Sequence, residues 1–114
     1  MNHDDELRDF ISENRDSNEL IVIDWTASWD DSCHSIFAFY EGLSGLPLYE
    51  KVTFLSCDID KLPQTFKEAG VQSLPTFQFI KKNTIVTQFS GADEHKLKET
   101  ILENYKSPYY KVHR

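Results

Sequence analysis

The chain has 114 residues, of which 39% are hydrophobic and 13% aromatic, so it is long and apolar enough for one folded domain and is not disordered. Acidic residues number 19 against 12 basic ones, giving a net charge of −7, which argues against nucleic acid or an anionic membrane as the main partner. Two cysteines are too few for a disulfide scaffold, and without a signal-peptide or membrane-spanning pattern we expect a soluble, cytoplasmic protein.

The first half of the chain predicts two helices and two strands. Residues Asp5–Asn14 place apolar side chains at helical spacing among charges, which indicates a short amphipathic helix. The nearly continuous apolar run Leu20–Trp25 is typical of a central strand that is buried on both faces. A second helix follows, and its apolar stripe consists of Cys33, Ile36, Phe37, Tyr40 and Leu43. Residues Val52–Cys57 form the next strand, in which Cys57 is a small core-facing residue.

The second half predicts a short helix, a hairpin and a last helix. The short helix begins with Pro63 and ends at Gly70. Thr76–Lys81 and Thr84–Ser90 alternate apolar and polar residues, which favours an antiparallel hairpin with Asn83 at positive φ. The last helix has an N-cap and an apolar face, namely Asp93 and then Leu97, Ile101, Leu102 and Tyr105. This order of elements predicts an α/β domain with a mixed central sheet flanked by helices.

Three segments together resemble the thioredoxin family. Ile23–Trp29 (IDWTASW), Ser73–Phe77 (SLPTF) and Phe89–Ala92 (FSGA) come in the order and near the separations of that family's landmarks, and the likeness runs over residues 20–105. It implies a thioredoxin-like fold over residues 1–105, with 106–114 as a basic, aromatic C-terminal tail that either frays or binds a partner. Only Met1–His3 precede the first helix, so the family's first edge strand is expected to be shortened or missing.

The resemblance also assigns roles to single residues. Asp24 matches the family's buried carboxylate, which accepts the proton of the resolving cysteine, and burial should raise its pKa. Trp29 matches the indole that covers the site. Pro75 matches a proline that follows a cis peptide bond, and a proline at the start of a strand suits that position. Gly91 matches a glycine at the rim of the substrate groove.

The active-site signature departs from the family. Where the family has Trp-Cys-Gly-Pro-Cys, this chain has Trp29 followed by Asp30, Asp31, Ser32 and Cys33. Asp30 thus replaces the nucleophilic cysteine, and only the resolving cysteine remains. Disulfide exchange needs a thiolate to attack sulfur and a second thiol to release the mixed disulfide. Ordinary dithiol–disulfide oxidoreductase activity is therefore not expected.

Several interpretations of this segment remain open. Cys33 is either a reactive single thiol, sensing redox state or accepting glutathione, or an inert, half-buried residue, and the nearby acids should raise its pKa. Asp30 and Asp31 suit a helix N-terminus and could also form a negatively charged docking tip. Together with Cys33 and His34, the two acids could suggest a metal site, but adjacent residues converge poorly, so no metal or cofactor is predicted.

Two hypotheses for function follow, from different classes. The first is a redox-silent, monomeric module that binds a protein or extended peptide by strand-type backbone bonds. Its groove would be formed by Trp29, Asp30, Asp31, Leu74, Pro75, Thr76, Gly91 and Ala92. The alternative is an atypical thioredoxin with residual single-cysteine activity through Cys33, and a scaffold in a larger assembly is a third possibility. The fold alone does not decide among them.

Overall fold

The computed structural model describes residues 3–105 of the chain. Its elements are α1 Asp4–Glu13, β1 Ile21–Thr26, α2 Asp31–Ser44, a 3₁₀ helix Pro47–Tyr49, β2 Thr53–Asp58, α3 Pro63–Ala69, β3 Thr76–Lys81, β4 Thr84–Ser90 and α4 Glu94–Asn104. Apart from the 3₁₀ helix, which the sequence pattern does not predict, the order of elements is the predicted one. The tail at 106–114 lies outside the described residues. Among the helices of residues 3–105, none is long and apolar enough to cross a membrane.

The four strands form one mixed sheet in the order β2-β1-β3-β4. β1 pairs parallel with β2 and antiparallel with β3, and β3 pairs antiparallel with β4. The predicted thioredoxin-like α/β fold is confirmed.

Apolar side chains form one core cluster on each face of the sheet. The first cluster joins the sheet to α2 and α4 through residues such as Ile36, Phe77, Phe79, Leu97 and Ile101. The second joins it to α1 and to the α3 region through residues such as Leu7, Ile23, Trp25, Leu62 and Ile80. Cys57 is fully buried in the second cluster, as predicted.

Two residues of the predicted apolar helix faces lie in solvent instead. Phe37 is 41% exposed and Leu102 is 50% exposed, whereas their neighbours Ile36 and Ile101 are buried. One residue corresponds to about 100° of rotation around a helix, so a side chain one position beyond the buried centre turns away from the sheet. The apolar stripe of each helix is therefore wider than the part of the helix that the sheet buries.

The ends of the elements follow the local sequence. Asp93 caps α4 by accepting a hydrogen bond from the Lys96 amide. Gly70 ends α3 in the left-handed conformation, with φ 70°, where a residue without Cβ is favoured. Lys82 and Asn83 both have positive φ in the turn between β3 and β4. Only the second of these was expected, but two-residue hairpin turns commonly need positive φ at both positions.

Candidate functional site

The site lies where β1 and β2 end. These strands are parallel, so their carboxyl ends meet at one edge of the sheet. Trp29, in the loop between β1 and α2, is 63% exposed. Its Nε1 donates a hydrogen bond to Oδ2 of Asp60 at 2.9 Å. Asp58, the last residue of β2, accepts a hydrogen bond from the Asp60 amide through Oδ1 at 2.9 Å.

Asp60 is a site residue that the sequence analysis misses. The available signal is its position two residues after the end of β2, at the edge of the sheet where the neighbouring parallel strand β1 also ends. The carboxylate holds an indole that would otherwise be free to reorient. The hydrogen bond thus restrains a side chain that is largely exposed to solvent.

Asp30 acts as the N-cap of α2. Its Oδ1 accepts a hydrogen bond from the Cys33 amide at 2.9 Å, which satisfies an amide that the first turn of a helix leaves unpaired. Asp31 is the first residue of the helix and is exposed. A carboxylate there is stabilised by the positive end of the helix dipole. Asp30 and Asp31 therefore both have a structural role at the start of this helix.

Cys33 is more buried than the sequence analysis expects. Only 2% of its surface is exposed, so the expectation of a half-buried residue is wrong, because the first turn of α2 points this position towards the sheet. Burial is the main effect and raises the pKa of the thiol. Hydrogen bonds from Thr26 and Ala27 lower the pKa, and the Asp30 carboxylate raises it by a smaller amount. The residue lines a cavity of about 330 Å³.

His34 is exposed, and its Nε2 forms a hydrogen bond with the Ser28 carbonyl oxygen. The imidazole thus ties the loop before α2 to the helix. Within residues 3–105 no group of three or more His, Cys, Asp or Glu side chains is arranged to hold a metal ion.

Asp24 lies in the middle of β1 and is 1% exposed. Neither of its carboxylate oxygens has a hydrogen-bond partner. Its strand neighbours in register are Ser56 on β2 and Phe77 on β3. Burial raises the pKa of this carboxyl from 3.8 to about 7, because the charged form is poorly solvated there.

The remaining predicted site residues lie before β3 and after β4. The Leu74–Pro75 peptide bond is cis, and the Pro75 carbonyl accepts a hydrogen bond from the Gly91 amide at 2.9 Å. Thr76 Oγ1 donates to the Ser73 carbonyl at 2.6 Å. Leu74 is half-buried, Pro75 and Thr76 are buried, and Ala92 is exposed.

Strand register connects these residues to the loop that carries Trp29. Trp25, near the end of β1, is the register partner of Thr76, the first residue of β3. Thr76 is in turn the partner of Ser90, the last residue of β4, and their hydroxyls are 2.7 Å apart. The three segments that the resemblance singles out therefore meet at one edge of the sheet.

Comparison with known proteins agrees with this geometry. The family model described as Thioredoxin matches residues 2–103. Thioredoxin of Ovis aries is 40% identical over 90 residues, covering 79% of this chain and 84% of its own length. Thioredoxin H-type 2 of Nicotiana tabacum is 35% identical over 103 residues, covering 90% of this chain and 86% of its own.

Solved structures of thioredoxins are also similar to this chain. A thioredoxin of Nicotiana alata superimposes with a TM-score of 0.88 at 27% identity, covering 93% of this chain and 90% of that one. The thioredoxin of Fasciola hepatica has a TM-score of 0.82 at 35% identity, with 91% and 96% covered. The fold and the site thus define a thioredoxin-like domain, and the chain belongs to the thioredoxin family.

Proposed function

We propose that this member of the thioredoxin family is a redox-silent module that binds an extended peptide or a protein segment. The observation that carries the proposal is Asp30. Its carboxylate occupies the position of the family's nucleophilic thiol and accepts the N-cap hydrogen bond from the Cys33 amide. A carboxylate cannot form the mixed disulfide through which thiol–disulfide exchange proceeds.

The surface around this helix start suits a peptide. The Trp29 indole is exposed and is held by Asp60, and aromatic side chains of this kind are common anchors at binding surfaces. Leu74 and Ala92 provide accessible positions beside the cis-Pro75 segment. An extended partner would lie between them and the indole, adding backbone hydrogen bonds in the manner of a strand. The module acts as a monomer in the cytoplasm, without a cofactor.

Residual activity through Cys33 is the alternative, and its chemistry is unfavourable here. The thiolate is the reactive form of cysteine, and burial raises the pKa of this thiol. Only 2% of the residue is exposed, so a disulfide or a peroxide would have little access to the sulfur.

We expect both cysteines to resist alkylation in the native protein. Cys57 provides an internal comparison, because it is fully buried and its pKa is raised to about 12. A time course with iodoacetamide at neutral pH, read by mass spectrometry at each cysteine, should show slow labelling of both residues and fast labelling after denaturation. Fast labelling of Cys33 alone in the native protein would support the single-cysteine enzyme.

The groove assignment predicts that Trp29 is needed for binding. Peptides selected from a display library of random linear sequences should bind about tenfold or more weakly to Trp29→Ala, because a central aromatic anchor contributes about 2 kcal/mol or more. The matched control is Leu102→Ala, which removes another exposed apolar side chain, 50% exposed, from α4. Equal loss of affinity in both variants, or no loss in either, would contradict the groove.

A further inference from the structure

We propose that a second site, separate from the groove, binds a small organic cation with a flat apolar body. The site is a cleft of about 630 Å³ between α1, α3 and the β3–β4 hairpin, called here the α1–α3 cleft. Ligand pockets commonly occupy about 300–1,000 Å³. None of the groove residues lines it. Its lining residues are Asp4, Asp5, Leu7, Arg8, Ile11, Ser12, Ile23, Trp25, Gln64, Thr65, Glu68, Ala69, Gln78, Ile80, Asn83 and Ile85.

The cleft exists because two short helices cover this face of the sheet incompletely. α1 has 10 residues and α3 has 7. Ile85, at the outer strand β4, is therefore 48% exposed, although its register partner Ile80 is only 5% exposed. An apolar surface continues in this way from the core to the mouth of the cleft.

The inner part of the cleft is lined by buried side chains of the sheet, which are apolar except for the Gln78 amide. Ile23 and Trp25 on β1 and Ile80 on β3 contribute to it and belong to the core. The Trp25 indole cannot turn, because its Nε1 donates to Oε1 of Gln78 at 2.8 Å. Gln78 in turn donates to Gln88 on β4 at 3.2 Å. A rigid apolar wall of this kind favours a planar hydrocarbon or aromatic body.

The helical walls of the cleft are held together at one end. Asp4 on α1 accepts two hydrogen bonds through Oδ1, one from the Thr65 amide at 2.9 Å and one from the Thr65 hydroxyl at 2.6 Å. These bonds cross from α1 to the first turn of α3. The cleft is therefore a formed space, and a ligand would not first have to separate the two helices.

Charge determines which ligand fits. The lining contains three carboxylates, of Asp4, Asp5 and Glu68, and one guanidinium, of Arg8. Arg8 is paired with Asp5, so its charge is already compensated. The remaining carboxylates, of Asp4 and Glu68, accept hydrogen bonds from the neutral Thr65 and Gln64, so the lining keeps a net negative charge, which favours an ammonium or amidinium group attached to an apolar ring.

The probe for the test is 2-naphthylmethylamine, compared with the neutral 2-naphthylmethanol and the anionic 2-naphthoate. Binding to the full chain is followed by backbone amide NMR shifts at constant pH and salt. We expect the amine to shift residues of the α1–α3 cleft and to bind about fivefold or more tightly than the alcohol, with the acid weakest. Equal affinity of amine and acid, or no binding by any of the three, would overturn the proposal.

Two pairs of variants locate the site. Ile85→Arg places a cation at the mouth and should weaken amine binding about tenfold, whereas Val86→Arg, at a similarly exposed neighbour outside the lining, should not. Glu68→Gln should weaken binding of the amine about threefold, whereas Glu103→Gln on α4 should leave the affinity unchanged. The proposal is wrong if both members of a pair behave alike.

The NMR data also distinguish other occupants. Shifts confined to the Trp29 groove would assign the amine to the proposed peptide site and overturn a second site. Shifts in the cleft that depend on protein concentration in the absence of probe would make a second copy of the chain the occupant, which also overturns the proposal.

Discussion

We expect the effect of Asp24→Asn on stability to depend on pH. Relative to wild type, the variant should gain about 4 kcal/mol more in the free energy of unfolding at pH 8 than at pH 4. The pKa of the Asp24 carboxyl is raised from 3.8 to about 7 by burial, and neither oxygen has a hydrogen-bond partner. Below the unfolded pKa the side chain is neutral in both states. As the pH rises to about 7 the unfolded state has already lost its proton while the folded state still holds it, so the wild-type protein becomes less stable.

Asparagine has the same shape and does not ionise, so the variant should lack this fall in stability between pH about 4 and about 7. Urea unfolding of both proteins across this range gives the difference at each pH. Glu103→Gln, which alters an exposed carboxylate, serves as the control and should show little pH-dependent difference. A stability difference between Asp24→Asn and wild type that stays constant with pH would mean that Asp24 is solvated or paired.

Asp30→Cys is expected to produce weak dithiol reductase activity, whereas we expect none from the wild-type protein. The wild-type chain should not accelerate the reduction of insulin by dithiothreitol. The variant restores the family's spacing to Cys33 and places the new thiol at the N-terminus of α2, which lowers a thiol pKa. Asp31 raises it, and Ser32 replaces the family's rigid proline, so we expect a rate well below that of an ordinary thioredoxin.

The same substitution removes the N-cap hydrogen bond to the Cys33 amide, which should cost about 1 kcal/mol of stability. Asp31→Cys is the matched control, because it adds a thiol to the same turn without that spacing. Alkylation and mass measurement after exposure to air report whether a disulfide has formed. If Asp30→Cys neither forms a disulfide with Cys33 nor reduces insulin, the helix start lacks thioredoxin geometry.

Much of the fold follows from local patterns in the sequence. The observed bounds of β3 and β4 are those predicted from the alternation of apolar and polar residues. The observed bounds of β1 and β2 differ by one residue from the predicted ones, because an apolar run does not mark where strand pairing begins. The short 3₁₀ helix at Pro47–Tyr49 has no periodic signal. Its Tyr49 is buried against Phe54 and Tyr105, and the second of these contacts joins residues that are distant in sequence.

The site is less predictable, because it depends on which strand ends meet. The pairing of Trp29 with Asp60 follows from the parallel register of β1 and β2, which no local pattern contains. The burial of Cys33 depends on the direction in which the first turn of α2 faces the sheet. By contrast, the N-cap role of Asp30 is set by residue type and its place before a helix, so local reasoning is sufficient for it.

The two thiols of residues 3–105 are both free and buried, on α2 and β2. A dithiol thioredoxin exists as two covalent species, whose balance shifts with the surrounding glutathione pool. If the proposed redox-silent module is correct, the carboxylate in place of one sulfur leaves the site without an intramolecular dithiol–disulfide pair that could respond to this pool. Occupancy by a partner would then depend on concentrations and affinity, and would persist during oxidative stress.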